Sequence, residues 1–305
     1  MTVDSQVTVV DHTRAVLLVA IAGVLWSTVG LGVRLMEEAD AWQIVFYRGL
    51  FQSIAVIAWL VHRNRDGLRE PFRRIGWTGV VGALALGVGY NGMIVALTLT
   101  SVAMVVFILS AAPLVTGLLA WLLLRESVTR TTFAAMGIAL IGILVMTLGN
   151  LDVEHLGGVL AAGVALFGYS SFTVALRKGR DVDMLPTIAL SGIVAALISC
   201  VAIDSFAMTG RDLALSLYLG GVALAVGLAL FTAGSRHLTS AELPLIAMTE
   251  PVLAPLWVWM VLGETVGGAT LVGGAIVLGS VLFQGFTASK RRRLSTADIG
   301  NPEDR

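Results

Sequence analysis

Two charges stand where their surroundings should exclude charge. Arg48, in "IVFYRGLFQS", and Glu250, in "IAMTEPVLAPL", each interrupt a long apolar run. An ionised side chain at the centre of a bilayer costs about 2.5 kcal/mol or more, so such residues mark substrate or ion paths. The planar donor fork of an arginine suits a substrate carboxylate, and a glutamate that gains and loses a proton suits coupling to a gradient. Other readings stand beside these. Arg48 snorkels to the interface or neutralises Glu250, and Glu250 is a structural hydrogen-bonded acid. Pro251 and Pro255 share the neighbourhood of Glu250, and Pro113 lies in an earlier apolar run. A proline removes one backbone donor and frees the carbonyl one turn before it. In lipid, a freed carbonyl survives only inside protein or on a wet cavity. Helix breaks at Pro113, Pro251 and Pro255 are therefore expected to face a central cavity.

Further polar or amphipathic side chains fall at similar depth: Trp26 and Ser27, Tyr90 and Asn91, Ser110, Tyr169 and Ser170, and Thr249. Each alone reads as packing between helices. Together they make an aromatic-walled cavity with a few fixed polar groups, the usual form of a small-molecule site. The expected substrate-binding set is Arg48, Trp26, Tyr90, Asn91, Ser110, Tyr169 and Thr249, with Glu250 for coupling. A site governed by Arg48 takes carboxylates such as amino acids. One governed by Glu250 and the rings takes organic cations. Trp121, Trp257 and Trp259 fall toward the ends of apolar runs and read as interface anchors. Enzyme signatures are missing: His12, His62, His155 and His237 form no metal-spaced pair, and neither lysine sits in a phosphate loop. No catalytic residue, cofactor, metal or nucleic-acid partner is expected.

These residues need a scaffold, and composition names its class. Hydrophobic residues make up 57% of the chain and charged ones 13%, more apolar surface than a soluble core hides. The single cysteine, Cys200, excludes a disulfide framework. Runs long enough to span fall at 14–36, 41–61, 75–98, 101–124, 131–148, 157–176, 185–204, 213–235, 240–263 and 268–287. With the amino terminus inside, seventeen of the twenty Lys and Arg fall on the cytoplasmic side, and Arg34 and Arg211 fall outside. On this count both termini are cytoplasmic. Glu250 then lies about 15 Å from the inner face and Arg48 about 10 Å below the outer one. The "KRRR" at 290–293 reads as a topology anchor.

The chain also repeats itself. "LTSVAMVVFILSAAPLVTGLLAWLLLRESV" (99–128) answers "LTSAELPLIAMTEPVLAPLWVWMVLGETV" (238–266), setting Pro113 on Pro251 and Glu126 on Glu264, and "ALALG" (83–87) answers "ALAVG" (223–227). Halves of five spans each must insert upside down relative to one another, the signature of an alternating-access carrier. These paired segments, with "LWST" in the first span and "FYRG" in the second, resemble the ten-helix drug/metabolite transporter superfamily, EamA type. Two departures are that Ala112 stands opposite Glu250 and that "LRE" at 124–126 replaces the usual small residue before the glutamate. The resemblance implies an all-α integral membrane protein of ten transmembrane helices in two inverted repeats. Residues 1–13 form a cytoplasmic tail, 14–148 the first repeat, 149–156 an external linker, 157–287 the second repeat and 288–305 a basic tail. It further implies a secondary exporter of small metabolites such as amino acids, in the cytoplasmic (inner) membrane, with organic-cation efflux as the alternative. Proton coupling falls to Glu250. The small residues of "GGATLVGGAIVLG" predict close helix contact, within the monomer or across a homodimer.

Overall fold

The computed structural model describes residues 3–64, 67–125, 130–149, 153–179, 182–235, 246 and 249–299, and no strand occurs among them. The helices are α1 (Val3–Arg34), α2 (Ala41–Arg63), α3 (Arg69–Arg74), α4 (Gly76–Leu99), α5 (Val102–Leu109), α6 (Ala112–Leu124), α7 (Arg130–Leu148), α8 (Val153–Lys178), α9 (Leu185–Cys200) and α10 (Gly210–Leu217). A π-helical stretch, Tyr218–Val226, joins α10 to α11 (Gly227–Ser235), and α12 (Thr249–Leu262) and α13 (Gly268–Ile299) follow. Seven segments among the described residues have the length and apolarity to cross a bilayer. They are Thr13–Arg34, Ala41–Arg63, Gly76–Leu99, Val102–Leu124, Arg130–Leu148, His155–Lys178 and Gly210–Phe231. Three more apolar helices are shorter: Leu185–Cys200, Thr249–Leu262 and Gly268–Phe283. Leu140, Leu197 and Trp59 are more than half exposed, as a surface solvated by lipid chains permits.

The packing follows the small residues. Helix α4 lies along α8, α2 along α9, and α7 along α13, while α1 packs on α11 and α12. A methyl group on Gly142 would stand 2.6 Å from the carbonyl oxygen of Gly273, so α7 and α13 meet backbone to backbone. Gly89 and Gly168 serve α4 and α8 the same way, a Cβ on Gly89 reaching the Gly168 Cα at 3.3 Å. Such approaches let dispersion and weak polar contacts hold helices for which lipid offers no hydrophobic drive.

The fourth apolar run is two helices. Ser101 caps α5 through its hydroxyl, 3.2 Å from the Met104 amide. The chain then turns at Ser110 and Ala111, and Pro113 occupies the first turn of α6, where its missing N–H costs nothing. The break expected at Pro113 is therefore present. The one expected at Pro255 is not, because α12 continues through that residue. The lost donor there would have served the carbonyl of Pro251, one turn earlier. The eighth run departs in another way: its middle is π-helical over Tyr218–Val226, a widened turn often found at functional sites. The Tyr218 hydroxyl is 2.8 Å from the Thr28 hydroxyl, tying this stretch to α1.

Candidate functional site

Between these helices lies a cavity of about 200 Å³. Trp26 of α1, Tyr90 of α4, Tyr169 and Phe172 of α8, and Phe231 of α11 furnish aromatic wall. Polar lining is sparse: Ser110 at the α5–α6 break, and Glu250 beside Pro251 at the start of α12. Pro113 lines it as well, so both matched prolines face the same space. Ser110 turns its hydroxyl to the Phe107 carbonyl at 2.6 Å, which leaves an oxygen lone pair as its remaining capacity. Glu250 is half-buried, and no described salt bridge includes it.

Supporting contacts hold the wall from behind. Ser27, the neighbour of Trp26, is fully buried and accepts from the Trp257 indole N–H at 2.9 Å. Trp257 thus turns inward to join α12 to α1 instead of anchoring at the interface. Trp121 and Trp259 are exposed. Ser170, the neighbour of Tyr169, donates to the carbonyl of Ala112 at 3.4 Å, joining α8 to the broken fourth span. The pairs Trp26-Ser27 and Tyr169-Ser170 occupy matching places in α1 and α8, aromatic to the cavity and hydroxyl to the neighbouring helix.

Three expected residues lie elsewhere. Asn91 is buried between α4 and α9, donating to the carbonyls of Gly87 at 2.9 Å and Ala195 at 3.4 Å. Thr249 donates to the Ile246 carbonyl at 2.6 Å, and its Cβ lies against Gly23 of α1. Arg48 is 1% exposed and is not part of the cavity wall. Its guanidinium carbon sits 4.7 Å from the centroid of the Tyr90 ring, whose other surroundings include the cavity. The two membrane-depth charges are therefore not paired. Snorkelling is not what Arg48 does either, since a snorkelling head remains wet.

Residues not expected from the sequence also line the cavity: Phe172, Phe231 and Leu224 of the π-helical stretch. The "ALAVG" repeat segment holds Leu224 and could have pointed to it. Phe172 and Phe231 carry no such signal, because an apolar ring reads alike whether it faces lipid or a cavity. No group of three or more His, Cys, Asp or Glu able to hold a metal occurs among the described residues.

Comparison with known proteins agrees with this architecture. The model of the EamA-like transporter family matches the chain twice, over residues 13–148 and 156–285. An "uncharacterized transporter" of Archaeoglobus fulgidus is 27% identical over 266 residues, covering 87% of this chain and 93% of its own. Human solute carrier family 35 member G1 is 28% identical over 175 residues, 52% of this chain and 47% of that one. A solved crystal structure shares the fold with a TM-score of 0.64 at 20% identity, covering 89% of this chain and 97% of that one.

Proposed function

Since the chain belongs to the EamA-like transporter family and is a multi-pass membrane transporter, we propose that it is a ten-span secondary carrier whose central cavity takes small organic cations. One observation carries the choice of substrate. Glu250 is the charged side chain on the cavity wall among the described residues, and it is accompanied by the faces or edges of five aromatic rings. A carboxylate and ring quadrupoles both attract a cation. Arg48, which would have favoured amino acids and other carboxylates, stands outside the wall.

Alternating access in this reading rests on two inverted five-span halves, α1–α7 and α8–α13. The helix pairing supports it. Under exchange of the halves, the α4–α8 contact becomes that of α1 with the π-helical stretch and α11, while α2–α9 and α7–α13 map onto themselves. The basic-residue bias supports cytoplasmic termini in a cytoplasmic membrane. Glu250 exchanges substrate for a proton, as a carboxylate with no ionic partner among the described residues suits, and the cation moves outward, driven by protons that move inward down their gradient.

Counterflow in proteoliposomes tests the reading. Labelled aromatic and quaternary cations should exchange, and labelled amino acids should not. Glu250→Gln should insert and fold yet lose cation exchange and its pH dependence. Amino-acid exchange with cations inert would overturn the substrate assignment, and unchanged pH dependence in Glu250→Gln would overturn the coupling role.

A further inference from the structure

Arg48 presents an unsolved electrostatic problem inside the protein. Its side chain is 1% exposed, and neither Nη1 nor Nη2 has a hydrogen-bond partner among the described residues. Arginine does not discharge by losing its proton. The Tyr90 ring, 4.7 Å away, meets the guanidinium through a cation–π contact, which serves the flat face of the group and leaves its N–H edge unserved. No described ion pair includes Arg48. A buried charge left without partner or hydrogen bonds is strongly destabilising, so the N–H edge requires an acceptor, preferably a negative one.

The surroundings describe what that acceptor is. Gln52, one turn along α2, is fully buried, and its Nε2 donates to the Ile188 carbonyl at 3.0 Å and the Ser191 hydroxyl at 3.3 Å. Its own Oε1 is without a partner, as expected of a group turned so that its amide faces α9. The Ser191 hydroxyl is committed to the Ile188 carbonyl at 2.8 Å. Tyr90 faces Gln52 and Ser191 as well as Arg48. Gly220 of the π-helical stretch packs on the backbone of α2, where a methyl group would strike the Gln52 backbone nitrogen at 2.9 Å. The described surroundings are thus polar and carry one positive charge, supplied by α2, α4 and α9, with Tyr90 between them and the cavity.

We propose that Arg48 binds a small inorganic anion, chloride, at this enclosed site, as a resident counter-ion separate from the transported substrate. An enclosed site screened from the cavity by a tyrosine ring favours a single-atom anion over a carboxylate carried on a larger molecule. A neutral water would accept from the guanidinium but leave the charge uncompensated in a medium of low dielectric. A bound anion also keeps the positive field of Arg48 away from a cavity governed by Glu250.

The test uses the purified full-length chain in detergent at fixed ionic strength, comparing sodium chloride, sodium acetate and sodium gluconate. Chloride should raise the unfolding temperature saturably by several degrees, as a ligand of the folded state does. Arg48→Gln should remove that response. If that variant does not fold, chloride-35 line broadening on wild type, displaced by bromide, reads the same site, and its absence overturns the proposal. Equal unfolding temperatures in chloride and gluconate would overturn the proposal. So would an undiminished chloride response in Arg48→Gln. Stabilisation by acetate but not chloride would also overturn it and return Arg48 to a carboxylate. Each outcome is independent of which substrate crosses the membrane.

Discussion

Among the described residues, the two ends of the helix bundle are held together in opposite ways. At the end carrying Arg34, buried polar groups join loops distant in sequence. The Asp212 carboxylate, fully buried, accepts from the backbone amides of Glu37, Glu38 and Ala39 at 3.4, 3.2 and 3.1 Å. Gln43, which completes a capping box with Asp40, also donates to the carbonyls of Ser205 and Ala207 at 2.7 and 2.9 Å. Arg34 donates to the Thr100 carbonyl at 2.8 Å and pairs with Glu264 at 3.3 Å, and Arg211 pairs with Glu37. At the end carrying Arg63, the described ties are surface pairs: Arg63 with Asp183, and Glu70 with Arg73 and Arg74 within α3, all at 2.9–3.0 Å and well exposed. Exposed pairs contribute about 0–1 kcal/mol, whereas buried charge-assisted bonds contribute more. In the proposed carrier, the Arg34 end is the extracytoplasmic one. Opening it therefore means parting oriented, partly buried bonds, and opening the other end means parting solvated ones.

Cutting the strongest tie should give the largest effect. Asp212→Ala leaves three backbone amides without their acceptor and removes a buried carboxylate, a loss of about 3 kcal/mol. The expected result is a clear fall in unfolding temperature in detergent, with Asp212→Asn falling less because its carbonyl retains part of the acceptor set. A fall no greater than that of an exposed substitution such as Arg63→Ala would erase the contrast between the ends.

Much of the fold and of the cavity wall was legible in the sequence, and the rest was not, for identifiable physical reasons. The apolar runs, the break at Pro113 and the wall residues Trp26, Tyr90, Ser110, Tyr169 and Glu250 were legible, because polar groups and prolines in an apolar run need an interior to face. The rotation of each helix was not legible. Soluble helices reveal a buried face through an apolar stripe, but here both lipid and interior are apolar, so Arg48 and Asn91 could not be told from cavity residues. Pro255 was misread because proline removes one bond without always breaking a helix that tertiary packing holds. The joining of the Asp40 and Asp212 regions depends on loops far apart in sequence, and nothing local announces it.

A middle-sized effect should come from Glu264→Gln. Its carboxylate and Arg34 are partly exposed, with side chains near 28% and 29%, so solvent screening limits the pair to about 1 kcal/mol. The more telling readout is kinetic. In the proposed exporter, weakening a tie at the end that opens for release should raise the rate of counterflow while unfolding temperature changes little. Arg34→Gln additionally loses the bond to the Thr100 carbonyl and should destabilise more than Glu264→Gln. Equal destabilisation by both would mean that Thr100 contributes nothing to the latch.

The smallest effect belongs to Glu70, and its sign is fixed. The hydrogen bond from Arg74, aided by the charge of Arg73, holds the Glu70 carboxyl below the usual glutamate range. A carboxyl lowered in the folded state favours folding above its unfolded pKa, and that contribution disappears as pH falls through the folded value. Glu70, Arg73 and Arg74 stand in solvent, where water and salt screen such pairs. Glu70→Gln should therefore leave the unfolding temperature unchanged between pH 4 and 7 within the scatter of replicate scans. The Asp212 variants should remain destabilised in the same scans. A pH-dependent loss on removing Glu70 would show that α3 ties the bundle together at the Arg63 end, and the two ends would then differ in degree alone.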